Sequence, residues 1–107
     1  MFIATWKEGQ GWIGDIAEYG PLPVFPSAQV FNYGQSIFEG MKAQESAKGR
    51  IVLFRPEEDA SRMENGAQRM CMPPVPKELF ISAVKETVEV NKEYVSYLEL
   101  IFSKASP

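Results

Sequence analysis

Arg62 is the first residue to weigh for chemistry, because its planar guanidinium offers a fork of N–H donors that suits a phosphate or a carboxylate. It stands one position before Met63 in a helix-patterned stretch, and so points about 100° away from the apolar stripe, toward a flank. Spacing alone favours a solvated ion pair with Glu58, four residues earlier. Upstream, the stretch NYGQSIFEGMKAQ (32–44) sets Tyr33 next to Gly34, and Phe38 one residue from Gly40. A segment that only fills a core has little use for these glycines, which lose the most backbone freedom on folding and bring no side chain to pack. By residue type, Tyr33 and Phe38 read first as core aromatics and Gly40 as a turn residue, with a ligand wall as the second reading. Glu39 has the chemistry of a general base but no partner visible in the sequence. Cys71, between Met70 and Met72, is expected to be a buried and inert small hydrophobe.

The rest of the chain limits what these residues can be part of. Its 107 residues suffice for one domain. Hydrophobic residues at 45% and charged residues at 23% match ordinary globular proteins. The longest apolar runs, such as IVLF at 51–54, fall far short of the roughly 20 residues that span a bilayer, so no membrane partner is expected. A net charge of −3, with lysines and arginines scattered along the chain, argues against a nucleic-acid surface. No histidine and a single cysteine make a zinc or other metal site improbable. The start, MFIATWKEG, lacks a basic leader and a cleavage site and reads as a first strand, and one cysteine fits a reducing compartment; the expectation is a cytoplasmic protein.

The elements that must position the candidates follow from local pattern. FIATW (2–6) reads as a strand ending at the polar turn KEGQG. Pro21, Pro23 and Pro26 make 19–29 an irregular connection or an edge. Ser27 is placed to cap a short helix from about Ala28, which Gly34 would end. From Ile37 the chain reads as extended, and RIVLFR (50–55) follows the turn-like SAKG, which suggests a hairpin. At Pro56 the period changes: Glu57, Glu58 and Asp59 lie in a first helical turn, Arg69 lies in the last, and Ala60, Met63, Ala67 and Met70 recur at helical spacing with Gly66 as a weak point. A second helix over 76–92 carries Leu79, Phe80, Ala83, Val84, Thr87 and Val88 on one face. Leu98, Leu100 and Phe102 then suggest a final strand. The fold class read from this order is α+β, a small antiparallel sheet packed by two helices.

Three separated motifs in order, NYGQSIFEGMKA, LFRPEEDASRM and GAQRMCMP, give this sequence a family likeness. It resembles the N-terminal domain of branched-chain amino acid aminotransferases, pyridoxal phosphate enzymes of the D-alanine aminotransferase-like group (fold type IV), from about Trp6 to Lys92. The resemblance implies that Arg62 holds the phosphate of pyridoxal phosphate. It implies that Phe38 and Gly40 line the pocket for the substrate's side chain, and that Tyr33 reaches into the neighbouring subunit's pocket. The implied reaction moves the amino group of leucine, isoleucine or valine to 2-oxoglutarate.

The same resemblance sets limits. In that family the lysine that carries the cofactor lies in a C-terminal domain, and none of Lys7, Lys42, Lys48, Lys77, Lys85, Lys92 or Lys104 falls in its motif. After the second helix the family has a Tyr-x-Arg-Pro strand, whereas VSYLELIFSKASP has no arginine and Tyr97 matches only loosely. Gln44 stands where the family generally has an aromatic residue. The expected organisation is a small aminotransferase-like domain over 1–94 and a divergent tail over 95–107, with the catalytic-lysine domain absent and no catalytic residue in the chain. The expected function is that of a truncated aminotransferase-like protein, inactive by itself. The alternative is a non-catalytic interaction module, a homo-oligomer or a partner of a full-length relative.

Overall fold

The computed structural model describes residues 1–95. Strand β1 (Phe2–Lys7) turns through Glu8–Gln10 into β2 (Gly11–Ile16), which is antiparallel to it and pairs Ala4 with Gly14 and Trp6 with Trp12. The turn takes left-handed backbone at Gly9 and Gly11, with φ of 78° and 74°, conformations that glycine adopts without a Cβ penalty. At its open end Met1 and Ala17 exchange two backbone hydrogen bonds, both 2.8 Å. The strand expected over 2–6 is present, and its partner β2 is one that no local pattern marks. Gly14 weakens the strand pattern of GWIGDI for a physical reason: a Cβ there would sit 2.7 Å from the Ala4 Cβ and from a ring carbon of Phe2.

The proline-containing connection is irregular, as expected, and leads into the short helix α1 (Gln29–Tyr33), which Gly34 ends in the left-handed region at φ 61°. Ser27 makes no capping hydrogen bond to it. The predicted second hairpin is present as β3 (Ala43–Glu45) and β4 (Ile51–Leu53), closed by a Ser46–Gly49 turn. Residues 37–42 lie in no strand, so extended pairing begins six residues later than the sequence suggests.

Helix α2 (Pro56–Arg69) starts with its proline at the first position and acidic residues in its first turn. Helix α3 (Lys77–Val90) packs on α2 and also touches β1 and β2. The predicted face of α3, with Leu79, Phe80, Ala83, Val84, Thr87 and Val88, is half-buried. A single 3₁₀ turn (Lys92–Tyr94) follows. The indole N–H of Trp12 donates to the Pro74 carbonyl at 2.9 Å and ties the first hairpin to the α2–α3 connection. The α+β class holds. The sheet, however, is divided among the described residues into two separate two-stranded pieces. The strand suggested by Leu98, Leu100 and Phe102 lies outside the described residues.

Among the described residues only Ala60 and Ala67 are buried hydrophobics, both on α2, and no large side chain is fully buried. Small side chains at these two positions suit close packing of α2. Many aromatic residues stay exposed, Tyr19, Phe25, Tyr33 and Phe38 among them. No helix among the described residues is long and apolar enough to cross a membrane.

The C-terminus of α2 corrects one expectation. Cys71 is exposed rather than buried, and its backbone is left-handed at φ 55°. It occupies the position after the helix cap where glycine is usual: the Cys71 N–H donates to the Gln68 carbonyl at 3.2 Å and the Met72 N–H to the Ala67 carbonyl at 2.8 Å, the two bonds of a Schellman motif. The side-chain amide of Gln35 donates to the Met70 carbonyl at 2.8 Å and serves the same helix end.

Candidate functional site

Helix α2 presents Arg62 in its second turn, and the loop before β3 brings Glu39 to it across 23 positions of sequence. Arg62 Nε donates to Glu39 Oε2 at 3.0 Å and Arg62 Nη2 to Glu39 Oε1 at 2.7 Å, a bidentate pair. Nη2 also donates to Asp59, three residues earlier on α2. The two carboxylates are well shielded, with side chains 13% and 10% exposed, whereas the Arg62 side chain is 59% exposed. Among the described residues Nη1 meets no acceptor, so part of the fork remains open to solvent.

The electrostatics follow from these contacts. The hydrogen bonds from Arg62 and its charge hold the Glu39 carboxyl below the usual carboxylate range against the opposing effect of burial, and the Gly40 N–H, 3.2 Å from Glu39 Oε1, adds to this. In return, the hydrogen bond to Glu39, with the charges of Glu39 and Asp59, pushes Arg62 above its ordinary value.

Arg62 lines a cleft of ≈ 530 Å³, within the size range of small-molecule sites. Its lining comes from Gly40, Met41, Lys42 and Gln44 on the segment into β3, and from Phe54, Arg55 and the first two turns of α2. Gly40 has neither a positive φ nor a close neighbour, since a Cβ added there would meet nothing within 4 Å. Its glycine character is therefore not required by this chain's own packing. Arg55 precedes Pro56 with left-handed backbone at φ 47°, an uncommon conformation for a non-glycine residue.

Of the residues singled out by sequence, Arg62 and Gly40 share this cleft, but Phe38 and Tyr33 do not line it. They stand in solvent at 93% and 80% exposure. The ion pair expected between Arg62 and Glu58 is not made; Glu58 instead accepts from Arg55 Nη2 at 3.2 Å. Sequence reasoning missed Asp59 as a partner, although its spacing of three residues from Arg62 was a usable signal. It also missed Lys42 and Arg55 as lining residues, which no local pattern marks. Among the described residues there is no cluster of acidic or cysteine side chains able to hold a metal ion.

No family model matches the chain. Individual relatives do. The chain is 44% identical over 96 residues to branched-chain-amino-acid transaminase 1 of Bacillus subtilis, covering 89% of this chain and 27% of that protein. It is 51% identical over 89 residues to the chloroplastic branched-chain-amino-acid aminotransferase 3 of Arabidopsis thaliana, 82% of this chain and 22% of the relative. With the branched-chain-amino-acid aminotransferase of Mycolicibacterium smegmatis the figures are 42% over 96 residues, 89% and 26%. The chain thus spans about a quarter of the length of the relatives it matches. With more than two residues in five identical over most of its own length, this chain belongs to the branched-chain-amino-acid aminotransferase family.

Proposed function

We propose that this chain is the small, phosphate-holding part of a pyridoxal phosphate-dependent branched-chain amino acid aminotransferase, and that the 107-residue polypeptide does not transaminate by itself. The observation that carries the proposal is the bidentate Arg62–Glu39 pair on the wall of an open cleft. Glu39 and Asp59 hold the guanidinium in place while Nη1 stays without an acceptor among the described residues, so the residues present fit an incoming phosphate oxygen. Arg62 would hold the phosphate of pyridoxal phosphate. When bound, the cofactor supplies the electron sink for moving an amino group between a branched-chain amino acid and 2-oxoglutarate.

In this reading Gly40 keeps backbone accessible beside the ligand, and Phe38 offers an apolar wall to a leucine, isoleucine or valine side chain. Tyr33 reaches a neighbouring subunit. The exposure of both rings supports such roles, because large aromatics left in solvent mark surfaces that meet something else. The domain would span 1–94, with 95–107 as its tail, in a cytoplasmic protein. Self-association, or pairing with a full-length relative, is part of the proposal, and sedimentation of the chain alone and mixed with such a relative tests it; a strict monomer that ignores the relative would remove it.

The amine that transamination requires is not proposed for any of the seven lysines. Incubating the chain with pyridoxal phosphate, reducing with borohydride and mapping the product tests this. The expected result is no single stoichiometric lysine adduct and no turnover of leucine with 2-oxoglutarate. A stoichiometric adduct accompanied by turnover would overturn it.

A further inference from the structure

We infer that Lys42 supplies the unpaired positive charge of the Arg62 cleft, offsetting the net negative trio around Arg62, and is a binding residue for the phosphate-bearing ligand that enters it. The inference rests on the reading of Arg62 as a phosphate-holding residue. Its basis is the charge balance of the site. Arg62 is shared by two carboxylates, Glu39 and Asp59, so that trio carries a net negative charge. Arg55 is matched by Glu58, a pair that is neutral together. Both pairings concern residues at the cleft: Arg55, Glu58, Asp59 and Arg62 all line it, and Glu39 is bonded to it through Arg62. Lys42 lines the same cleft, and among the described residues no carboxylate lies within ion-pair distance of it.

With Lys42 the site is neutral overall, and without it a phosphate would approach a wall of net negative charge. Arg62 therefore provides oriented donors within a trio of net negative charge, whereas Lys42 provides the ammonium that offsets that charge and three rotatable donors on a flexible stem. Its place in the chain suits this division of work. Lys42 follows Glu39 by three residues and Gly40 by two, so the segment that fixes the guanidinium also carries the free ammonium to the cleft.

The test uses the 107-residue chain and pyridoxine phosphate, which lacks an aldehyde and cannot bond covalently to a lysine, with pyridoxine as the phosphate-free comparison. Binding is measured by calorimetry at low and at higher salt, for the unaltered chain and for Lys42→Gln, Lys42→Arg, Arg62→Gln and, on the β3–β4 turn away from the cleft, Lys48→Gln. Far-UV circular dichroism checks that each variant keeps its helices. Lys42→Gln is expected to weaken pyridoxine phosphate about fivefold, as loss of one charge-assisted contact at an exposed site does. It should also flatten the salt dependence and leave pyridoxine unchanged, while Lys42→Arg retains affinity and Lys48→Gln changes nothing.

Unchanged binding by Lys42→Gln overturns the inference, as does an equal loss in Lys48→Gln, which would mean diffuse charge. Failure of the unaltered chain to prefer pyridoxine phosphate over pyridoxine overturns it too. Arg62→Gln separates the two claims: loss there with none in Lys42→Gln leaves the Arg62 reading standing and removes Lys42, and loss in Lys42→Gln alone removes the Arg62 reading and, with it, the division of work between the two residues, leaving only a phosphate contact at Lys42.

Discussion

Replacing Gly66 by alanine should stabilise the chain, and both the sign and the size follow from where a methyl group would go. Gly66 lies inside α2, one turn beyond Arg62, where glycine costs about 1 kcal/mol relative to alanine. A Cβ built at this position lies 3.7, 3.8 and 4.0 Å from three carbons of Ile37, ordinary van der Waals distances, so nothing has to move to admit it. The new contact adds a few tenths of a kcal/mol, since a methyl touching one side chain realises only part of the value of a fully buried methyl group. The expected gain is about 1 kcal/mol, which for a domain of this size corresponds to a rise of about 4–8 °C in Tm, followed by circular dichroism in thermal unfolding. A lower Tm would refute the reasoning, because it would mean that α2 and the 37–42 segment lie closer than their separation here. An Ile37→Ala background divides the effect: most of the gain should persist there, and disappearance of all of it would assign the stabilisation to packing rather than to helix propensity.

The opposite sign is expected at Gly14. There a Cβ would meet the Ala4 Cβ at 2.7 Å and the Ala4 Cα at 2.9 Å, backbone-fixed atoms of the paired strand, so Gly14→Ala should destabilise by about 1–3 kcal/mol in the same melting assay. Cys71→Gly should stabilise by about 0.5–1 kcal/mol: it removes the cost of a left-handed side-chain-bearing residue, about 1–2 kcal/mol, and loses part of that gain to the freer unfolded chain. An unchanged or lower Tm would count against the Schellman reading of this helix end. The Glu39 carboxyl titrates lower in the folded chain than in the unfolded one. Its contribution to stability is therefore fully present above the unfolded value of about 4.3 and is lost as pH falls through the folded value beneath it. An NMR titration should find the Glu39 midpoint below that of an ordinary glutamate and restored toward it in Arg62→Gln; a normal midpoint in the unaltered chain would contradict the bidentate pair.

How much of this could be read beforehand depended on the range of the interaction. Helices α2 and α3 were legible because apolar residues recur at a period fixed by the backbone, and Ala60 and Ala67 of that pattern are the buried hydrophobics among the described residues. The turns at Gly34 and Gly49 were legible because left-handed backbone selects glycine, here at φ of 61° and 75°. Strand β2 was not, since its Gly14 answers to Phe2 and Ala4, more than nine positions away in the chain. At the site, Arg62 was recognisable as a donor fork, but its principal partner was not. Helical spacing can nominate only Glu58 or Asp59, and nothing local prefers Glu39 across 23 positions. The burial expected of Cys71 failed because hydrophobic neighbours in sequence say nothing about a residue that lies past a helix cap.

The distribution of burial is itself an argument about purpose. Apart from two alanines, the best-shielded residue among those described is Asp59, a carboxylate, and Glu39 is nearly as well covered at its side chain. Shielding a carboxylate is unfavourable unless it is paired and hydrogen-bonded, so a chain organised only for stability would have covered Phe38 or Phe54 before Asp59. Here those rings remain in solvent while two carboxylates are drawn in around one guanidinium. Such a cluster fixes the direction of Arg62 at the cleft, and it neutralises the charge that an anion would seek there. Both effects follow from the same contacts, which is why the orientation of the donors and the supply of positive charge fall to different residues, Arg62 for the first and, by the inference above, Lys42 for the second.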